Sequence, residues 1–147
     1  MRALTVALLS IAVAACEWMG PSGIKYSYDV KASFAERKSY AWGPAPSGYS
    51  SAYGRDRLVE LNVQTFADEI LSQKNFNRTL GKPDLMISVN YEFDSSYAVR
   101  RLDLYVYATD AKELIWRGTA FGTIRTDAPA GELKSAVQGI LANFPPG

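Results

Sequence analysis

The sequence contains no histidine and only one cysteine, Cys16. Histidine is the usual general base near neutral pH and a common zinc ligand, so its absence removes the central residue of most hydrolytic mechanisms. A single cysteine can form neither an internal disulfide nor a cluster of thiolates around a metal ion. We therefore expect no metal, no cofactor and no enzymatic activity, and an enzyme is the least favoured of the functions considered below.

The sequence also lacks a strong excess of charge of either sign. Sixteen basic residues stand against fifteen acidic ones, which gives a formal net charge of +1. Nucleic-acid binding requires a basic face that neutralises phosphates, and the densest basic pairs here are only Arg37-Lys38 and Arg100-Arg101. We expect no nucleic-acid partner.

Length and composition are those of one folded domain. The chain has 147 residues, of which 48% are hydrophobic and 21% charged. That length can bury a core without help from disulfides or metals, and the composition lies in the ordinary globular range.

The first fifteen residues have the pattern of a signal peptide. Arg2 supplies a positive start, and residues 3–12 form an apolar run. A permanent membrane helix needs about 20 apolar residues, so this run is too short to remain in the bilayer. We predict that residues 1–15 are removed.

The segment Val13-Ala14-Ala15-Cys16 resembles the lipobox of bacterial lipoproteins. The resemblance implies cleavage between Ala15 and Cys16, a diacylglycerol on the thiol and a further acyl chain, such as palmitate, on the freed amine. The alternative is an ordinary signal peptide whose cleavage site happens to precede a cysteine. It would leave a lone reactive thiol in an oxidising compartment, so we favour lipidation, which would anchor the chain to a membrane.

The residue after the cysteine bears on which membrane holds the lipid. In the sorting pattern of such lipoproteins an aspartate at that position favours the inner membrane, and this chain has Glu17. The resemblance therefore implies an outer-membrane anchor facing the periplasm. Residues 16–23 contain two glycines and a proline and are predicted to be a lipidated tether.

Residues 24–147 are predicted to form a single α+β domain. The expected order is β-β-α-β-β-β-α, as a two-layer domain with a sheet of about five mostly antiparallel strands and both helices on one face. Strands are predicted at residues 24–30, 40–42, 85–93 and in a hairpin over 102–124, with helices at 56–74 and 130–143. Asn75 is expected to take a left-handed conformation that ends the first helix.

Alternation of apolar and polar residues predicts which side chains face the helices. In the first strand these are Ile24, Tyr26, Tyr28 and Val30. In the last strand the inward set is Leu114, Trp116, Gly118, Ala120, Gly122 and Ile124. The small residues in this set are expected to let a helix approach the sheet closely.

Several stretches together resemble one family. They are "YSYDVKASFAERKSYAWGP", "KPDLMISVNYEF", "ELIWRGTAFGTI" and "ILANFPP". In this order, over residues 26–146, they are similar to the domain-of-unknown-function 4136 family of bacterial lipoproteins. Asn75 stands where members usually have a glycine. The resemblance implies a compact α+β fold and an envelope location, and it implies no reaction, cofactor or catalytic residue.

The opposite side of the predicted sheet is a candidate partner face. The polar phase of the strands places Ser88, Asn90, Tyr105, Tyr107, Arg117, Thr119 and Phe121 there. Tyrosine and arginine are enriched at interface hot spots, and we select Asn90, Tyr105, Tyr107, Arg117 and Phe121 as the candidate site. The alternative is that tyrosine and threonine are simply good strand formers on an exposed surface.

The function expected from the sequence is a non-enzymatic accessory or interaction module, lipid-anchored in the periplasm and bound to another envelope protein. The alternative is a small binding module for an envelope ligand such as a glycan, a peptide or a lipid. A deep apolar pocket would favour the ligand, and a flat exposed sheet face would favour the protein partner.

Overall fold

The computed structural model describes residues 23–44, 56–93, 98–126 and 131–147. Within them the chain forms β1 (Gly23–Tyr28), β2 (Ser39–Trp42), α1 (Arg57–Gln73), β3 (Asn77–Arg78), β4 (Leu85–Phe93), β5 (Val99–Ala108), β6 (Glu113–Ile124) and α2 (Gly131–Leu141). The predicted signal peptide, the cleavage position between Ala15 and Cys16, and tether residues 16–22 lie outside the described residues.

The six strands form one mixed sheet in the order β1-β6-β5-β4-β2-β3. Neighbours from β1 to β4 pair antiparallel, whereas β2 pairs parallel with both β4 and β3. The α+β prediction with two helices is confirmed. The sheet has one more strand than expected, because β3 has only two residues and shows no alternation. β2 is parallel to its neighbours because α1 separates it from both in the chain.

Both helices contribute to the hydrophobic core on one side of the sheet. α1 buries Val59, Val63, Ala67 and Leu71, and α2 buries Leu133, Ala136, Val137, Ile140 and Leu141. They share this core with the inward side chains of the central strands, which include Leu85, Ile87, Val89, Leu102, Leu104 and Val106. The apolar face of each helix therefore packs against the apolar face of the sheet.

The ends of α1 follow from local chemistry. The Asp56 side chain caps the helix by accepting a hydrogen bond from the Leu58 amide at 2.8 Å, and satisfies a donor that the first turn leaves free. After Gln73 the chain leaves the helix, and Asn75 has φ of 66°. The predicted left-handed position at Asn75 is confirmed.

The predicted buried face of the first strand is wrong. Tyr26 and Tyr28 are 50% and 43% exposed, Val30 is 80% exposed, and only Ile24 is partly buried. The reason is that β1 is an edge strand with a neighbour on one side only. The two tyrosine rings stack on each other, with centroids 6.4 Å apart.

The prediction that Leu114 faces the helices is wrong, because a β-bulge lies at the start of β6. Val106 pairs with Trp116 but Tyr107 pairs with Leu114, so Ile115 is an extra residue opposite the β5 strand. The bulge shifts the alternation of β6 by one residue, so the side of the sheet that each earlier side chain faces is reversed. As a result Leu114 is 45% exposed and Ile115 is buried in the core.

Gly118 leaves the space that the core needs around Trp116. A Cβ atom at Gly118 would collide with the Trp116 ring and with the Ile140 side chain of α2. The Trp116 ring also packs edge-on against Phe144, with centroids 5.1 Å apart. A small residue was expected here for a close helix backbone, whereas the structure uses the space for an indole ring and a helix side chain.

We expect Gly118→Ala to lower the free energy of unfolding by about 2 kcal/mol, because overpacking would displace Trp116 or Ile140. Urea unfolding measures the change. Gly23→Ala is the matched control, since a Cβ at Gly23 has nothing within 4 Å. Equal unfolding midpoints for the two variants would contradict the packing described for Gly118.

Candidate functional site: the polar face of the sheet

On the side of the sheet opposite α1 and α2, three adjacent strands present their more polar side chains. We call it the polar face, and it is formed by Met86, Ser88, Asn90 and Glu92 of β4, Arg101, Asp103, Tyr105 and Tyr107 of β5, and Leu114, Arg117, Thr119 and Phe121 of β6. Cross-strand pairing sets Ser88, Tyr105 and Arg117 in one row, and Asn90, Asp103 and Thr119 in the next. All five residues of the candidate site lie on this face.

A buried carboxylate, Asp103, lies at the centre of the polar face. Its Oδ1 accepts a hydrogen bond from the Thr119 hydroxyl at 2.5 Å. Its Oδ2 accepts from Arg101 Nε at 3.1 Å and from Asn90 Nδ2 at 3.3 Å. Arg101 also reaches Glu92, with 3.6 Å between Nη1 and Oε2. One carboxylate thus links the three central strands through side chains.

The partners of Asp103 explain how a charge can be buried here. Only 4% of its side chain is exposed, and an isolated ionised carboxylate in such a place would be strongly destabilising. Arg101 supplies the opposite charge, and the neutral donors of Asn90 and Thr119 satisfy the remaining lone pairs. The arrangement holds Arg101 in a fixed orientation on the surface of the sheet.

Asp103 was not among the residues selected from the sequence. The signal was present, because Arg101, Asp103, Tyr105 and Tyr107 alternate with Leu102, Leu104, Val106 and Ala108 along β5. Alternation places Asp103 on the polar face but carries no information on its hydrogen bonds. These depend on the register between strands.

Two of the five residues of the candidate site are buried. Asn90 and Tyr105 are 4% and 3% exposed. Alternation determines which face a side chain lies on, and it does not determine how exposed that side chain is. Arg117 is exposed, Phe121 is 37% exposed and Tyr107 is half-buried. These three remain the accessible part of the candidate site.

A groove lies beside Tyr107, toward the turn that joins β5 and β6. It has a volume of about 270 Å³ and is lined by Met86, Tyr107, Ala108, Thr109 and Lys112. A second hollow of about 130 Å³ lies between the ends of β1 and β6. Both are smaller than the pockets that usually enclose a drug-sized ligand, of roughly 300 to 1,000 Å³.

A second carboxylate cluster lies on the helix side of the sheet and joins α1 to the strands. Asp68 Oδ1 accepts from the Tyr40 hydroxyl at 2.7 Å and from Trp42 Nε1 at 2.9 Å, and Oδ2 accepts from Arg78 at 3.0 Å. Burial, together with the Asp68 carboxylate, raises the pKa of Tyr40 well above its usual value. Tyr40 is therefore a neutral donor at physiological pH, and the cluster holds β2 and β3 against the helix.

Asp84, in the loop before β4, ties that strand to the start of β2. Its carboxylate accepts from the backbone amides of Lys38 at 2.9 Å and Ser39 at 3.1 Å, and its own amide donates to the Ser39 carbonyl and hydroxyl. The two backbone donors lower the pKa of Asp84. The residue therefore supports the parallel pairing of β2 and β4.

Two further findings concern the described residues alone. None of their acidic side chains come together in a group of three that could hold a metal ion. No helix among them has both the length and the apolar character needed to cross a bilayer.

The chain belongs to a family defined by the domain of unknown function DUF4136. The family model matches residues 24–146, which confirms the resemblance found in the sequence. The match covers every strand and helix described above except Gly23, the first residue of β1. None of the curated proteins matches the sequence.

Solved structures share the fold at low sequence identity. A DUF4136 family protein from Bacteroides thetaiotaomicron is 11% identical, with a TM-score of 0.58 over 82% of this chain and 92% of that one. PelC from Paraburkholderia phytofirmans, described as a dodecamer, is 11% identical, with a TM-score of 0.55 over 82% and 96%. A PDZ domain protein from Parabacteroides distasonis is 12% identical, with a TM-score of 0.56 over 84% of this chain and 35% of the other. At these identities the likeness shows a common fold.

We expect Asp103→Asn to lower the free energy of unfolding by about 2 kcal/mol, because the amide would leave Arg101 without its buried partner and would present a donor to other donors. Chemical unfolding at neutral pH measures the change. Glu92→Gln, which removes only the half-exposed contact with Arg101, is the control and should cost less than about 0.5 kcal/mol. Equal losses for the two variants would show that Asp103 does not organise the polar face.

Proposed function

We propose that this protein is a non-enzymatic, lipid-anchored module of the bacterial envelope whose polar face binds another envelope protein. The observation that carries the proposal is the polar face itself. Arg117 and Phe121 lie on either side of Thr119 along β6, Tyr107 lies farther along β5, and Asp103 next to Thr119 is buried and hydrogen-bonded. Accessible aromatic and arginine side chains on a rigid sheet are residue types and geometry found at protein interfaces.

The anchor is proposed from the sequence. Cys16 follows an apolar run and two alanines, so a diacylglycerol on its thiol would hold the chain at a membrane. Glu17 after the cysteine favours the outer membrane, with the domain facing the periplasm. In this proposal the tether of residues 16–23 separates the lipid from the folded domain.

A small binding module is the second candidate function, and the groove beside Tyr107 favours it. Most of the accessible lining of the groove is apolar, and Lys112 stands at its edge. A short acyl chain, a peptide side chain or a sugar ring stacked on Tyr107 would match that lining. The groove is small, so a protein partner that inserts one side chain fits the volume better than a whole ligand.

We expect Cys16→Ser to abolish lipidation, because serine lacks the thiol that forms the thioether. The variant should accumulate either as uncleaved precursor or as a soluble periplasmic species. Mass spectrometry of the mature N-terminus checks both proteins. An unmodified Cys16 in the wild-type protein would refute the anchor and the location proposed with it.

We expect Tyr107→Ala combined with Arg117→Ala to weaken crosslinking to the partner in intact cells, while the free energy of unfolding changes by about 1 kcal/mol or less. Val30→Ala combined with Lys31→Ala is the control, since it removes an exposed apolar and an exposed basic residue elsewhere. The mass of the adduct distinguishes a second copy of this chain from a different protein. Wild-type crosslinking by the Tyr107 and Arg117 double variant would place the interface elsewhere.

A further inference from the structure

If Cys16 carries the lipid, one end of the sheet must lie near the membrane. β1 begins at Gly23, which pairs with Phe121 of β6. Six residues lie between Cys16 and Gly23, and the seven steps from one residue to the next span at most about 25 Å when fully extended. The start of β1 therefore cannot move farther than this from the lipid.

Other elements meet at the same end of the sheet. We call it the Gly23 end, and its described residues are Gly23, Lys25, residues 56–58, residues 91–93, residues 99–101 and residues 121–126. Val99 pairs with Ile124, and Phe93 pairs with Val99. The start of α1 lies here too, because the Asp56 amide donates to the Tyr91 hydroxyl at 2.6 Å.

The Gly23 end presents basic side chains that have no ion pair with any described residue. Three of them are the exposed arginines Arg57, Arg100 and Arg125, and the fourth is Lys25, whose ammonium lies over the Phe121 ring. None of the described acidic groups nearby forms an ion pair with these three arginines. Glu92 contacts Arg101, Glu132 accepts from the Arg125 amide at 2.6 Å, and Asp56 caps α1. The guanidinium groups of Arg57, Arg100 and Arg125 are therefore available to an outside anion.

An exposed apolar side chain accompanies these cations. Leu58, beside Arg57 in the first turn of α1, is 69% exposed. Arginine next to an exposed leucine is a combination that suits the headgroup region of a bilayer, where the cation meets phosphates and the apolar side chain reaches the acyl boundary.

We propose that the Gly23 end docks on the surface of an anionic phospholipid bilayer, with lipid phosphates bound by Arg57, Arg100 and Arg125 and with Leu58 inserted at the interface. The inference rests on the proposed lipid on Cys16, which would bring this end within reach of the headgroups. Each arginine near an anionic surface contributes about fivefold to membrane partitioning, and the effect decays over a Debye length of about 8 Å. The polar face would then stand upright on the bilayer, with Phe121 near the lipid and with Tyr107 and Arg117 accessible from the side.

The test uses the protein as it is extracted from membranes, reconstituted into vesicles of phosphatidylethanolamine with phosphatidylglycerol or of phosphatidylcholine alone. Hydrogen exchange followed by mass spectrometry compares the two preparations. We expect slower exchange of residues 56–61, 98–101 and 121–126 on the anionic vesicles, and no difference for residues 31–38 at the opposite end. Equal exchange of the Gly23 end on both vesicles would overturn the proposal.

Charge-reversal variants distinguish docking through the Gly23 end from a general attraction of basic side chains to anionic lipid. Arg100→Glu combined with Arg125→Glu should lower the ratio of docked to undocked protein by at least about 25-fold. Lys31→Glu combined with Lys82→Glu makes the same change of charge at the other end and should leave docking intact. Equal loss in both pairs would contradict a specific surface. Arg100→Gln combined with Arg125→Gln repeats the test without added negative charge, with a loss of about fivefold per residue.

A further experiment distinguishes failure of the proposed anchor from failure of the proposed docking surface. If mass spectrometry finds Cys16 unmodified, the proposed anchor is refuted. The same thiol, the only one in the chain, is then coupled to a maleimide phospholipid, and the vesicle comparison is repeated. Protection of the Gly23 end supports the surface in that case, and its absence overturns it. Protection that appears only when other envelope proteins are added would assign this end to a protein partner and would overturn the lipid proposal.

Discussion

The two-residue alternation along β4, β5 and β6 is the constraint on which the rest of the structure depends. It sends Leu104 and Val106 toward the helices and Asp103 and Tyr105 to the polar face. A slip of one residue would place Asp103 among the side chains of α1 and α2, without Arg101, Asn90 or Thr119 as partners. The core and the polar cluster therefore specify the same register from opposite sides of the sheet. This double specification gives the polar face a fixed geometry, which an interaction surface needs.

The sequence predicts the parts of the fold that follow from a pattern within a single helix or strand. Both helices, the long strands β4 to β6 and the left-handed Asn75 follow from periodicity and capping rules. Features that depend on another part of the chain were missed. The bulge at Ile115 arises from pairing with β5, the exposure of Tyr26 arises from the edge position of β1, and the pairing of β3 involves only two residues. The hydrogen bonds of Asp103 likewise require the register of three strands, so alternation places the residue without explaining its burial.

The two proposals describe one arrangement at the envelope. The lipid on Cys16 would hold the Gly23 end at the bilayer, where Arg100 and Arg125 have no described ion pair. The strands would rise from that end, so that the polar face is presented laterally to a partner in the periplasm. The helix side, in which the Asp68 cluster ties α1 to β2 and β3, would serve as the rigid support of that face. In this arrangement the protein positions a surface, and it requires no residue that performs chemistry.

Photocrosslinking from single positions in intact cells tests the central claim most directly. A photoreactive residue at position 117 on the polar face and one at position 138, exposed on α2, sample the two sides of the sheet. If the polar face is the interaction surface, position 117 gives an adduct of defined mass and position 138 gives none. An adduct from position 138 alone would contradict the assignment and would move the interface to the helices.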